Sequence, residues 1–107
     1  VISIVANKMQ SKKIDAIFCT SDEIAMGTYQ AIKEEGLNIP QDISIIGFDN
    51  SRLSTLVKPK LTTVQLPYSA MTQKAIQHII DPQKFDDNFN ILVESPLVIR
   101  ESVKVKK

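Results

Sequence analysis

Cysteine, histidine, glycine and unbalanced charge are all scarce in these 107 residues. The single cysteine, Cys19, rules out an internal disulfide framework and a multi-cysteine zinc site, and it suits a reducing compartment. The 13 Lys and Arg residues nearly cancel the 12 Asp and Glu residues. Basic residues do not cluster with aromatic ones between them, so this segment carries no nucleic-acid footprint. No apolar run reaches the roughly 18 to 20 residues that span a bilayer, and no basic segment followed by an apolar stretch and a cleavage site opens the chain. There is no glycine-rich phosphate loop and no nucleophile elbow. The one histidine, His78, is read as a surface residue of a helix. Cys19 is read as a buried strand residue with no base beside it in sequence. Asp81, Asp86 and Asp87 lack the spacing and glycine of a calcium loop and read as solvated loop. No enzyme activity, metal or cofactor is expected.

What is present is enough apolar residue, 43%, for one small α/β core. Ile2, Val5, Ala6 and Met9 recur at helical spacing, as in the interior of a helix, so the natural N-terminus is expected to lie upstream. Ala16-Ile17-Phe18-Cys19 reads as a buried strand. Thr20-Ser21-Asp22 then offers N-cap side chains for a helix whose face carries Ile24, Ala25, Thr28, Ala31 and Ile32. Gly36 suits the left-handed position after that helix, Leu37 the apolar contact that accompanies it, and Pro40 blocks its resumption. Ile43 to Phe48 is short, apolar and β-branched, as in a parallel strand covered on both faces. A short helical stretch is expected at 51–56, a strand at 61–66, and a third amphipathic helix on Met71, Ala75, Ile76, Ile79 and Ile80 that ends before Asp81-Pro82. After a polar loop, short strands are expected at Ile91 to Glu94 and Leu97 to Arg100. The fold class is therefore α/β, an open, mainly parallel sheet flanked by helices.

A right-handed crossover aligns the C-termini of successive parallel strands on one edge, where ligands of such sheets bind. Asp22 and Asp49 share that edge. A carboxylate there can accept hydrogen bonds from ligand hydroxyl or N–H groups. For Asp22 two roles stay open, ligand contact or capping of its own helix, and the two can coexist. Gly47 permits close backbone approach, and Asp49-Asn50-Ser51 suits a turn.

The order of Asp15-Ala16-Ile17-Phe18, Ser21-Asp22-Glu23-Ile24-Ala25-Met26-Gly27, Gly36-Leu37-Asn38-Ile39-Pro40, Ile45-Ile46-Gly47-Phe48-Asp49-Asn50 and Leu61-Thr62-Thr63-Val64 strongly resembles the LacI/GalR family of bacterial transcription regulators. The resemblance implies a fragment of a two-lobed, type I periplasmic-binding-protein-like domain. Residues 1–66 would belong to its C-terminal lobe, 67–95 would complete the N-terminal lobe, and 96–107 would form the return strand and tail. It also implies a cytoplasmic protein that binds a small effector, most simply a sugar, dimerises, and modulates operator binding through a helix-turn-helix headpiece not among these residues. Asp22 and Gln65 match effector-contacting positions, Asp49 and Asn50 match a cleft-edge loop, and Glu23, Met26, Thr28 and Tyr29 match a dimer face with exposed or partly exposed positions. The stretch from Arg52 to Pro59 is most similar to the catabolite-control branch, whose partners include a phosphocarrier protein; the ribose-operon repressors are the other near branch. Ala70 and Met71 stand where the family has a glycine. A third helix without the rest of its lobe is expected to pack on its own sheet or on a second copy. The rival function is an exported sugar-binding component of a transporter, which shares the fold.

Overall fold

A computed structural model of the chain describes residues 14–84 and 90–105. The helix expected around Ile2 to Met9 and the residues Asp86 and Asp87 lie outside them. The elements in order are β1 (Ala16–Phe18), α1 (Asp22–Glu34), β2 (Ser44–Asp49), α2 (Leu53–Leu56), β3 (Thr62–Gln65), α3 (Tyr68–Ile80), a 3-10 turn at Pro82–Lys84, and β4 (Leu97–Val98). The sheet runs β1-β2-β3-β4. The first three strands are parallel, with Ile17 opposite Ile45 and Phe48 opposite Val64, and β4 is antiparallel to β3 with Thr63 opposite Val98.

Helix α1 is specified at both ends. Ser21 is the N-cap, its Oγ accepting the Ile24 N–H at 3.1 Å. At the other end Gly36 has φ +72, Leu37 N–H reaches the Ile32 carbonyl and Gly36 N–H that of Lys33, the paired bonds of a Schellman motif. Between these ends Ala25, Tyr29 and Ile32 are buried against Cys19, Ile43, Ile45 and Leu61, with Leu37 packed beside them. This is the core. In β2 burial alternates: Ile45 and Gly47 are buried, Ile46 and Phe48 only half so. That corrects the expectation of a strand covered on both faces; α1 covers one face, and Phe18 on β1 stays largely exposed.

Two further expectations are corrected. Ile91 to Glu94 forms no strand, because β3 already has β2 on one side and pairs on the other with Leu97–Val98. An extended segment without a partner leaves its backbone groups to water. Nor does α3 pack on the chain's own sheet. None of its residues is buried, and Met71, Ile76, Ile79 and Ile80 remain exposed.

Candidate functional site

The C-terminal edge of the parallel strands is built around Asp22. Because Ser21 takes the capping role, the carboxylate of Asp22, at the first position of α1, turns away from its own helix end, which corrects the capping alternative. It is completely buried. Oδ2 accepts the Ser51 N–H at 2.7 Å and Oδ1 accepts the Thr63 hydroxyl at 2.7 Å. The start of α1, the loop after β2 and the middle of β3 are thereby joined at one ionisable group. A buried carboxylate is tolerated only with such partners. Gly47 makes the junction possible, since a Cβ there would collide with Asp22 Oδ1 and come within 2.8 Å of Leu61 Cδ2.

The loop after β2 departs from ordinary backbone geometry, with φ +120 at Asp49 and +55 at Asn50. Asparagine tolerates the second value; the first is rare for any residue with a Cβ. The fold holds the pair from three sides. Besides the Ser51–Asp22 bond, the Asn50 N–H donates to Thr63 Oγ1 at 3.3 Å, and Asn50 Oδ1 accepts from Arg100 Nη2 at 2.6 Å. Arg100 also donates through Nη1 to Ser54 Oγ at 2.8 Å and to the Leu61 carbonyl at 2.9 Å. Ser54 in turn donates to the Ser51 carbonyl at 2.6 Å.

Asp49 and Gln65 face outward from this framework. They are opposite one another in the β2–β3 register, so their side chains share one face of the sheet at its C-terminal edge. Gln65 is exposed and Asp49 partly so. The Asp49 carboxylate has no hydrogen bond among the described residues, whereas Gln65 Oε1 lies 3.5 Å from Asn50 Nδ2. Of the four expected site residues, then, Asp22 sits inside the structure with both oxygens engaged, Asn50 is committed to Arg100 and the loop, and Asp49 and Gln65 meet solvent together.

Sequence reasoning missed Thr63, Ser54 and Arg100. Threonine in a Leu-Thr-Thr-Val strand reads as an ordinary β former. Arg100 comes beside the start of β3 only through the antiparallel pairing of β4, which no local pattern announces. On α1, Glu23 is exposed and Met26 half-buried against the core, but Thr28 and Tyr29 are buried, correcting their expected exposure. Thr28 donates to the Ile24 carbonyl and lies 3.4 Å from Cys19 Sγ, while the Tyr29 hydroxyl donates to the Pro59 carbonyl at 3.0 Å.

Burial pushes the Cys19 thiol up, the Thr28 hydroxyl partly opposing it, which is the reverse of an activated nucleophile. Among the described residues no cluster of three His, Cys, Asp or Glu could hold a metal, and no helix is long and apolar enough to cross a membrane. A groove of about 540 Å³ lined by Tyr29, Lys33, Leu37, Ile39, Val57 and Pro59 lies at the opposite, N-terminal edge of the sheet.

A family model described as periplasmic binding protein-like domain matches residues 3–103. The chain is 39% identical over 105 residues to a ribose operon repressor of Haemophilus influenzae, covering 96% of this chain and 32% of that protein. It is 40% identical over 91 residues to the HTH-type transcriptional repressor PurR of Pasteurella multocida, covering 83% and 27%. Among solved structures it is similar to a LacI family transcriptional regulator from Enterococcus faecium with bound ribose, with a TM-score of 0.78 and 28% identity, covering 99% of this chain and 40% of that one. The chain spans about a third of the length of the curated relatives it matches.

Proposed function

This chain belongs to the periplasmic-binding-protein-like domain family, in its LacI/GalR form, and from that premise we propose that it is the effector-sensing part of a transcription regulator. The effector is a small sugar or similar metabolite. Its binding alters operator affinity through a DNA-reading headpiece outside these residues. The observation that carries the reading is the Asp49–Gln65 pair at the strand ends: a carboxylate not yet engaged beside an amide that both donates and accepts, a combination suited to adjacent hydroxyls of a sugar. The relatives are named as repressors, not enzymes or exported binding proteins, so the transporter reading is not favoured. A cytoplasmic location follows from contact with operator DNA.

In this reading Asp22 serves the effector by holding Ser51 and Thr63 in place, and a direct contact would have to displace one of those bonds. Effector binding matters to the headpiece only insofar as it favours one closure of the two lobes over another. A homodimer through α1 would use Glu23 and Met26, since Thr28 and Tyr29 face inward. The exposed Arg52, Lys58 and Lys60 support a phosphorylated phosphocarrier protein as a further partner, because a phosphoryl group needs cations.

Calorimetric titration of the full-length protein with D-ribose, other pentoses and hexoses, purines and phosphorylated sugars tests the reading. One ligand is expected to bind, and Asp49→Ala and Gln65→Ala to weaken it by about 1 to 3 kcal/mol each, the cost of leaving its polar groups unpaired. Asp22→Ala is expected to weaken it as well, through the loop. No binding to any of them, or binding that survives both edge substitutions, would overturn the assignment.

A further inference from the structure

The geometry points to Arg100 as a positioning residue for the cleft loop, tying the return strand to the backbone that presents Asp49. The inference deepens the effector-sensing reading and rests on it for the ligand, though not for the ordering of the loop.

Two successive residues with positive φ, neither of them glycine, form a conformation that the chain does not adopt on its own. Of the bonds that hold it, the one from Arg100 Nη2 to Asn50 Oδ1 is the shortest at 2.6 Å, beside 2.7 Å for Ser51–Asp22, 3.3 Å for Asn50–Thr63, 3.4 Å for Ser54–Asn50 and 3.5 Å for Asn50–Gln65. Like the Ser51–Asp22 bond it has one charged partner, and both are therefore stronger than the neutral bond from Asn50 N–H to Thr63. The guanidinium spreads over oxygens from three places: Asn50 in the loop, Ser54 in α2 and the carbonyl of Leu61 before β3. A planar fork can reach all three at once; the ammonium of lysine is a single point of charge and cannot. Arg100 bonds to Leu61 and Thr62 at the start of β3 and to Asn50 in the loop, and has no hydrogen bond to Asp49 or Gln65 among the described residues. It acts through Asn50 and does not touch the ligand.

The same residue anchors the return strand. β4 shares only two register pairs with β3, and the residues beyond it are held both by backbone bonds, Glu101 N–H to the Lys60 carbonyl and Ile45 N–H to the Ser102 carbonyl, and by bonds to side chains. Arg100 N–H donates to Thr62 Oγ1 at 2.9 Å, and Ser102 Oγ accepts the Thr62 N–H at 2.8 Å while donating to the Ile45 carbonyl. Between β3 and β4 the chain makes its long excursion through α3. The Ser102 hydroxyl bonds to Thr62 and Ile45 in the sheet and lies beside Tyr29 of α1, with no bond to the loop among the described residues.

Amide hydrogen exchange in the full-length protein decides the matter, comparing wild type with R100A, R100K and S102A. R100A is expected to speed exchange at Asn50 and Ser51 by about tenfold or more while Ala25 to Ile32 in α1 keep their protection. R100K should act in the same direction with a smaller effect, and S102A should leave both loop amides as in wild type. Loop amides unchanged in R100A, an equal acceleration in α1, a loop as loose in S102A as in R100A, or unfolding of both Arg100 variants would overturn the proposal. Titration with D-ribose supplies the second arm. If ribose binds wild type, R100A is expected to raise its Kd about tenfold and S102A to leave it nearly unchanged; equal affinity in R100A overturns the role at the site. If ribose does not bind wild type, the choice of sugar fails, and the exchange data still judge Arg100.

Discussion

α1 and α3 are both thirteen residues long and both amphipathic, yet one forms half of a core and the other stands clear of it. α1 begins on a side-chain cap and closes on a glycine; six of its residues are buried. α3 follows Pro67 without a side-chain cap and buries none; Ile79 and Ile80 are 76% and 77% exposed. Sequence periodicity gives each helix an apolar stripe but not the surface that will receive it. For α1 that surface lies next to it in the chain, on β2 and the start of β3. For α3 nothing in the described residues takes that role, and an isolated helix of this length is marginal in water.

The contrast is sharpest in paired truncations. Ile32→Ala, at a fully buried site in α1, is expected to cost about 2 to 5 kcal/mol. Ile79→Ala in α3 should stay within about 0.5 kcal/mol in this chain. Urea denaturation of the two variants checks both. Repeating the Ile79→Ala measurement in the full-length protein sharpens the comparison: if the rest of a lobe covers α3 there, the cost rises to about 2 kcal/mol or more. Equal costs for Ile32→Ala and Ile79→Ala in the 107-residue chain would break it.

Gly47→Ala comes next. The added methyl collides with Asp22 Oδ1 and Leu61, so both must shift, and the expected loss is at the upper end of roughly 1 to 3 kcal/mol. It should be accompanied by faster exchange of the Ser51 amide, which the displaced carboxylate no longer holds.

Tyr29 gives a pH test confined to the cored region. Burial pushes its hydroxyl from 10.0 up to about 12, with Ser102 opposing and Glu101 and Cys19 adding to the rise. The folded state therefore keeps the proton after the unfolded chain has lost it. The stabilisation is fully present below pH 10 and is lost as pH climbs towards 12, by on the order of 2 kcal/mol. Tyr29→Phe should flatten that slope in alkaline denaturation, at the expense of the bond to Pro59.

How much could be read in advance divides along the same line. The parallel β-α-β arrangement, the Gly36 stop, the close approach at Gly47 and the shared edge of Asp22 and Asp49 all rest on short-range patterns or on a strong topological rule. The fate of α3, the missing strand at 91–94 and the burial of Tyr29 depend on which distant surface is present. The site divides similarly. Asp22 is marked by its place at a strand end, but its engagement with Thr63, 41 residues away, comes only from the strand register. Arg100, 50 residues from Asn50, carries no signal of its own.

The smallest effect tests whether α1 is as settled as its caps suggest. Gly27 lies in the middle of that helix, with open space around the position a Cβ would take. Glycine in a helix interior costs roughly 0.5 to 1 kcal/mol relative to alanine through the freedom it retains when unfolded. Gly27→Ala is therefore expected to stabilise the chain by about that amount in thermal or urea denaturation. The substitution also probes the face beside Met26. If a second copy of the protein approaches the backbone there, the methyl group intrudes, and sedimentation should show weakened association in the same variant that unfolds later as a monomer. A gain in stability with association unchanged would place any dimer contact elsewhere on α1 and leave Gly27 as a position where the helix lacks a side chain without structural need.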